Sequence, residues 1–449
     1  MTEYTEIHRP QFHFTSKRRW INDPNGLVYF NGVWHLFFQH NIEANTWGPM
    51  WWGHAVSSDL LHWEQKDNAL HPDKMGSMFS GSAVVDQNNT SGFGENAIIL
   101  FYTAANRDDS EASYTQCMAY SLDNGVSWEK YANNPVVKTM VGEDRDPRVV
   151  WHTKTQQWIM ALYLTEDKFC LLRSQDAKSW EKFQDIQLTS DCECPDFFSL
   201  SDNNGNEKWI FSGANGTYTV GSFDGELFTE ESSNNLFEYG RNGYASQTWS
   251  NTDNDRRIQI SWMAGGRYPE MPFNQQLSFP LELTLKNING KPIIHRWPID
   301  EIRSLYLKTI NVAECEVSKG KSFIPKTSAK LFDISFIVDK ASSKSLYLMI
   351  RGHYLSFDWE NNEFSMQSSG EHKIVEDRKT IGLPKGKEIS VRLLVDKTSI
   401  EIFIDNGLLS GSFCFLPDGY INPIVFLSYS GTQYIRDFTL HELKTIWSD

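Results

Sequence analysis

Up to about residue 300 the apolar residues fall in short runs of four to eight, rich in β-branched and aromatic side chains, and helical spacing is almost absent. "VWHLFFQH", "AIILFYTA", "WIMALYL" and "KWIFSG" are examples, set off from one another by Asn, Asp and Gly. Runs of this kind predict strands joined by turns. From about residue 318 apolar and polar positions alternate over longer stretches, as in "SLYLMIRGHYLSFDW", "EISVRLLVD" and "SIEIFIDNG", with a hairpin signal at Asp405-Asn406-Gly407. That period of two predicts a second all-β unit of sandwich type. Between the two regions, "KPIIHRWPIDEIRSLY" holds two prolines and a short amphipathic patch, which predicts a helical connector.

The first region also repeats. "SSDLLHWE", "SLDNGVSWE", "SQDAKSWE" and the weaker "SFDGELFTE" share Ser-x-Asp followed by an aromatic four or five residues on. Their aspartates, 59, 123, 176 and 224, are 64, 53 and 48 residues apart. These intervals match a four-stranded propeller blade. A fifth unit without the signature can be read in "SQTWSNTDNDRRIQISWMAG" followed by "QQLSFPLELTL". The expected fold is therefore all-β: a five-bladed β-propeller over 1–297, a linker over 298–317 and a C-terminal β-sandwich over 318–449, with four or six blades as the alternatives.

Composition narrows the range of partners. A formal net charge of −15 repels phosphate backbones and anionic lipid, so neither nucleic acid nor membrane is expected as a partner, and a neutral substrate fits better. No apolar run approaches the ~18 residues of a bilayer span. Aromatics make up 14 % of the chain; most will pack, yet flat rings with a polar edge also suit sugars. The N-terminus "MTEYTEIHRPQFHF" has no apolar signal region, so a cytoplasmic location is expected. The six cysteines form no C-x-x-C pair, and Cys192 and Cys194 lie too close together, with no nearby His, for a zinc site. No metal or other cofactor is expected.

Three carboxylates then stand out: Asp23 in "INDPNG", Asp146 in "EDRDPR" and Glu193 in "CECPDF". Each sits at a turn beside a strand-like run, and turn chemistry alone would explain any one of them. They come from different repeat units, however, and loops at one end of a propeller channel can bring such residues into one pocket.

With these residues in view, the chain resembles glycoside hydrolase family 32, the β-fructofuranosidases, which include invertases, inulinases and levanases. The likeness rests on "WINDPNG", "GPMWWGHAVSSDLLHWE", "FSGSAV", "RDP" and "ECP" in the family's order, followed by "LLVDKTSIEIFIDNG", and it spans nearly the whole chain. It implies a retaining hydrolase that releases terminal β-D-fructofuranosyl units from sucrose, fructo-oligosaccharides or fructans through a fructosyl-enzyme intermediate. Asp23 would be the nucleophile, Glu193 the acid/base and Asp146 the transition-state stabiliser. Substrate contacts would come from Asn22, Gln39, Trp47, Phe79, Ser80, Arg145 and Trp262, and the stretch "GYASQTWS" resembles a family segment near the pocket. The stretch "YTQCMAYSLDNGVSWEKYANNPVV" looks more like fructan exo-hydrolases than plant-type invertases, and Trp51 stands where many members carry His. A fructosyltransferase using the same intermediate, a non-catalytic sugar-binding propeller and an arabinan-cleaving enzyme are the alternatives. A homodimer through the sandwich stays open.

Overall fold

The computed structural model describes residues 4–107, 113–253, 256–340, 342–367, 381–417 and 422–447. The strands up to Pro298 form five sheets arranged as blades, each built as an antiparallel meander. Their inner strands are Arg19–Phe30, Ser77–Asp86, Arg145–His152, Asp196–Ser201 and Gly243–Thr248. The second strands of the blades are the continuous apolar runs: Ala97–Asn106 and Gln157–Thr165 are buried along nearly their whole length. Each is covered on both faces by neighbouring blades, which removes the alternation of a half-exposed strand.

The repeated aspartates turn the chain between the third and fourth strands of the first four blades. Asp59 Oδ1 accepts the amides of Leu61 and His62 at 3.0 and 2.8 Å. Asp123 does the same for Val126 and Ser127, Asp176 for Lys178 and Ser179, and Asp224 for Glu226 and Leu227. The aromatic that follows, Trp63, Trp128, Trp180 or Phe228, packs into a hydrophobic cluster of the propeller. The fifth blade lacks the signature because its last two strands, Leu281–Ile288 and Lys291–Pro298, are joined by the two-residue turn Asn289-Gly290, both at positive φ. That is the Asn-Gly hairpin geometry, with Asn287 Oδ1 rather than an aspartate accepting the Gly290 amide at 2.9 Å. The ring closes where Arg19 and Trp20 pair in parallel with Phe273 and Asn274, and where Tyr29 and Ser250 share a backbone hydrogen bond of 3.0 Å.

The expected linker is shorter than the sequence suggests. Tyr306–Ser318 is a strand that pairs along its length with Thr432–Leu443, so residues 306–317 belong to the sandwich. It is an edge strand exposed at many positions, "YLKTINVAECEVS", which hides its strand character from an apolar-run reading. The helical connector is a single 3-10 turn, Asp300–Leu305, that buries Ile302 and Leu305, while Lys291–Pro298 before it is the last propeller strand.

The sandwich packs a six-stranded sheet on a five-stranded one. In Ser399–Ile404 the period of two has a specific use: Ile400, Ile402 and Ile404 enter the sandwich core, whereas Phe403 joins the cluster shared with Phe12, Phe14 and Phe279 of the propeller side. Glu401, on that same outer face, accepts His13 Nε2 at 2.7 Å and the Phe279 amide at 3.1 Å. His13 Nδ1 lies 2.8 Å from Asp396. A second buried ion pair, Arg296 with Glu238 at 2.8 Å, is capped by the Ser412 amide of the sandwich.

Candidate active site

The first residues of the inner strands face one end of the propeller channel, so each blade offers side chains to the same space. A pocket of about 280 Å³ opens there. Its lining includes all ten residues singled out from the sequence: Asn22 and Asp23 from the first blade's inner strand, Gln39 from its second and Trp47 from the loop beyond it, Phe79 and Ser80, Arg145 and Asp146, Glu193, and Trp262. Trp51 is not among them; its ring lies 5.8 Å from that of His71.

Three carboxylates and one thiol meet at the pocket floor. Ser80 Oγ donates to Asp23 Oδ2 at 2.6 Å. Cys194 reaches both aspartates, its Sγ 3.5 Å from Asp23 Oδ2 and 3.5 Å from Asp146 Oδ2, while its amide donates to Asp146 Oδ2 at 3.0 Å. Glu193 is held at both oxygens: Arg145 Nη2 donates to Oε1 at 2.6 Å and the Tyr244 hydroxyl to Oε2 at 2.5 Å. Arg145 also lies 3.9 Å from Asp146, and its guanidinium sits over the Tyr163 ring.

Two further aspartates build the loops that carry these groups. Asp191 accepts the amides of Cys192, Asn215 and Thr217 at 2.7 to 2.8 Å, and so pins the turn that presents Glu193. Buried Asp144 gathers the amides of Met140, Val141 and Gly142 just before Arg145. Asp146, Glu193 and Cys194 all have positive φ, at 65°, 49° and 39°. Left-handed backbone at three non-glycine residues in one site is local strain that the surrounding hydrogen bonds must sustain.

The electrostatics follow from crowding. Burial raises the pKa of Asp23, helped by the charge of Glu193 and opposed by the Ser80 hydrogen bond. Burial pushes Asp146 up to about 7; Arg145 pulls it down, and Glu193 and Asp23 push it further up. Burial also keeps Cys194 a thiol, reinforced by the charges of Asp146 and Asp23. Burial and mutual repulsion thus shift both Asp23 and Asp146 toward the protonated form, and three carboxyl groups in one small cavity can supply a nucleophile and a proton donor. That pairing is what glycosidic bond cleavage requires.

Arg107, Tyr114, Glu143 and Tyr244 also line the pocket and were not anticipated. Arg107 lies 5.0 Å from the ring centre of Trp47, whose indole is 47 % exposed at the mouth. Tyr244 opens the fifth blade's inner strand within "GYASQTWS", one residue after its first position; Arg145 opens the third, and that shared placement was the available signal. Arg107 directly follows the second strand of the second blade and Tyr114 lies in its third, where no local pattern marks them.

The glycosyl hydrolases family 32 N-terminal domain model matches residues 13–298 and the family's C-terminal model matches 301–442. The chain belongs to glycosyl hydrolase family 32. It is a glycosidase. As a family 32 member it is 34 % identical to the levanase of Bacillus subtilis over 99 % of this chain and 72 % of that protein. An extracellular exo-inulinase of Aspergillus niger is 28 % identical over 99 % of this chain and 96 % of its own. The crystal structure of exo-inulinase from Aspergillus awamori superposes with a TM-score of 0.89 at 25 % identity, covering 99 % of this chain and 100 % of that one. A fructofuranosidase from Schwanniomyces occidentalis complexed with fructose gives 0.87 at 26 % identity, over 99 % of this family 32 chain and 100 % of its own.

Proposed function

We propose that this enzyme is a retaining, exo-acting β-fructosidase that removes terminal β-D-fructofuranosyl units from sucrose, fructo-oligosaccharides or fructans. The observation that carries the reading is the convergence of Asp23, Asp146 and Glu193, from three different repeat units, in one pocket with Ser80, Arg145 and Tyr244 bonded to them. The names of the similar proteins above point to the same substrates.

In the first step an oxygen of Asp23, oriented by the Ser80 hydroxyl, attacks C2 of the terminal fructosyl unit. The C2–O bond to the leaving sugar breaks, and Glu193 passes its proton to that oxygen. In the second step water attacks C2, gives its proton to Glu193 and displaces Asp23, so fructose leaves with retained configuration. Asp146 and Arg145 stand where ring hydroxyls of the fructosyl unit would be read, and Asn22 and Gln39 add amide donors and acceptors.

Exo action is supported by the shape of the site. Behind the pocket the channel is crossed by Arg148, paired with Asp196 at 2.8 Å and bonded to Thr248. A blind pocket admits a chain end and excludes the middle of a polymer. The test is fructose release from sucrose, 1-kestose, inulin and levan by wild type and Asp23→Ala. Release by the wild type and a loss of about 10⁴-fold or more in the variant are expected; a folded wild type inert on all four substrates would overturn the reading.

A further inference from the structure

We propose that the opposite end of the propeller channel is a second saccharide-binding site. The inner strands whose first residues enclose the active site run on to a separate pocket of about 330 Å³, a little larger than the catalytic one. The two share no lining residue. Between them lies the fully buried Arg148–Asp196 pair, and Arg148 also donates to the carbonyl and hydroxyl of Thr248, each at 3.1 Å.

The chemistry of the lining identifies the ligand class. Formal charges balance within the protein: Asp196 compensates Arg148, and the charge of Arg257 is matched by that of Asp86, whose two oxygens are held by the amides and hydroxyls of Thr90 and Ser91 at 2.6 to 3.1 Å. Arg257 packs 5.2 Å from the centre of the Phe198 ring and donates to the carbonyls of Trp249 and Ser199. The remaining lining combines the partly exposed indole of Trp151 with the exposed amides of Gln87 and Asn88 and the exposed Thr153, while the Asn251 amide is engaged by Gln87 Nε2 and the Tyr29 carbonyl, both at 2.9 Å. Trp209 adds an indole N–H that is buried and meets no acceptor among the described residues.

An aromatic plate flanked by amides and a hydroxyl, without net charge, suits a neutral mono- or disaccharide. The C–H face of a sugar ring stacks on an indole, and amide groups pair with vicinal hydroxyls as donor and acceptor together. Inorganic phosphate, by contrast, would bring negative charge to a lining whose cations are already engaged.

The experiment is binding of fructose, and separately of inorganic phosphate, to the full wild-type chain, followed by crystal soaks that locate each ligand. Fructose is expected against Trp151 as well as in the catalytic pocket, with affinity at this second site reduced roughly tenfold in Trp151→Ala, the scale of one aromatic contact. Asn88→Ala, an exposed substitution, gives a weaker loss at the same site and covers the case in which Trp151→Ala does not fold. Turnover should be unchanged in both variants. Fructose confined to the catalytic pocket, or phosphate seated against Trp151 in its place, would overturn the proposal.

Discussion

The buried His13 that joins the N-terminal segment to the sandwich makes the protein's stability depend on alkaline pH. Its two ring nitrogens lie 2.8 Å from Asp396 and 2.7 Å from Glu401, and all three side chains are almost wholly removed from water. Both nitrogens can donate only if the ring is charged. Burial alone would discharge it, but the two carboxylates override that and raise its pKa from 6.5 to about 9. At 1.36 kcal/mol per pKa unit the rise contributes about 3 kcal/mol to folding. A histidine whose folded pKa is raised stabilises in full below its unfolded value and loses that stability as pH climbs through its folded one, so the loss should fall between about pH 6.5 and 9.5. Asp396 is correspondingly lowered by His13 against the opposing effect of burial; this is the same contact seen from the other partner and is not added again. Urea unfolding of wild type and His13→Gln at pH 6.5 and 9.5 isolates the effect, because titration of other groups is common to both chains. The variant should be less stable by about 3 to 5 kcal/mol at pH 6.5, since it leaves two buried carboxylates without their cation, and the gap should narrow by about 3 kcal/mol at pH 9.5. A gap that stays constant across that range would refute a charged His13.

Three further outcomes follow from the site and the blades. Asp146, pushed up to about 7 chiefly by burial, binds more protons folded than unfolded between about pH 4 and 7, so its ionisation removes stability as pH rises through that window. Asp146→Asn should flatten the decline in unfolding free energy across that window while lowering kcat by about a hundredfold; an unchanged slope in urea titrations would count against it. Tyr244→Phe removes the hydroxyl that donates to Glu193 Oε2 at 2.5 Å and leaves the carboxylate held by Arg145 alone; kcat should fall about tenfold or more, and a kcat equal to wild type would show the hydroxyl to be a bystander. Asp176→Ala deletes the acceptor for the Lys178 and Ser179 amides and should lower stability by about 1 to 2 kcal/mol, which a urea midpoint equal to wild type would contradict.

What could be read from the sequence was whatever nearby residues decide. The aspartate turn recurs as a string because Asp59, Asp123, Asp176 and Asp224 bind amides two to four residues away, and counting turns comes close to counting blades. Asp23, Asp146 and Glu193 were visible because each sits in a short motif. Tyr244 and Arg107 reach the same pocket by the closure of the ring and the splay of a blade, which no local pattern records. The His13–Asp396–Glu401 contact joins residues almost 400 positions apart. In the sequence His13 reads as one polar residue between two phenylalanines, and Glu401 as the polar beat of an alternating strand.

The polar barrier behind the catalytic pocket also dictates traffic. With Arg148 and Asp196 closing the channel, the mouth beside Trp47 and Arg107 is both entrance and exit. The severed sugar, lying outermost, departs first; water arrives through the space it vacates; fructose, lying innermost, departs last. Fructose should therefore compete with substrate for the free enzyme. A fructan shortened by one unit cannot advance while that unit is still covalently held, so it must withdraw before the next cut. Trimming is consequently distributive: a population of chains shortens together, and no single chain is consumed to its end while the others remain intact.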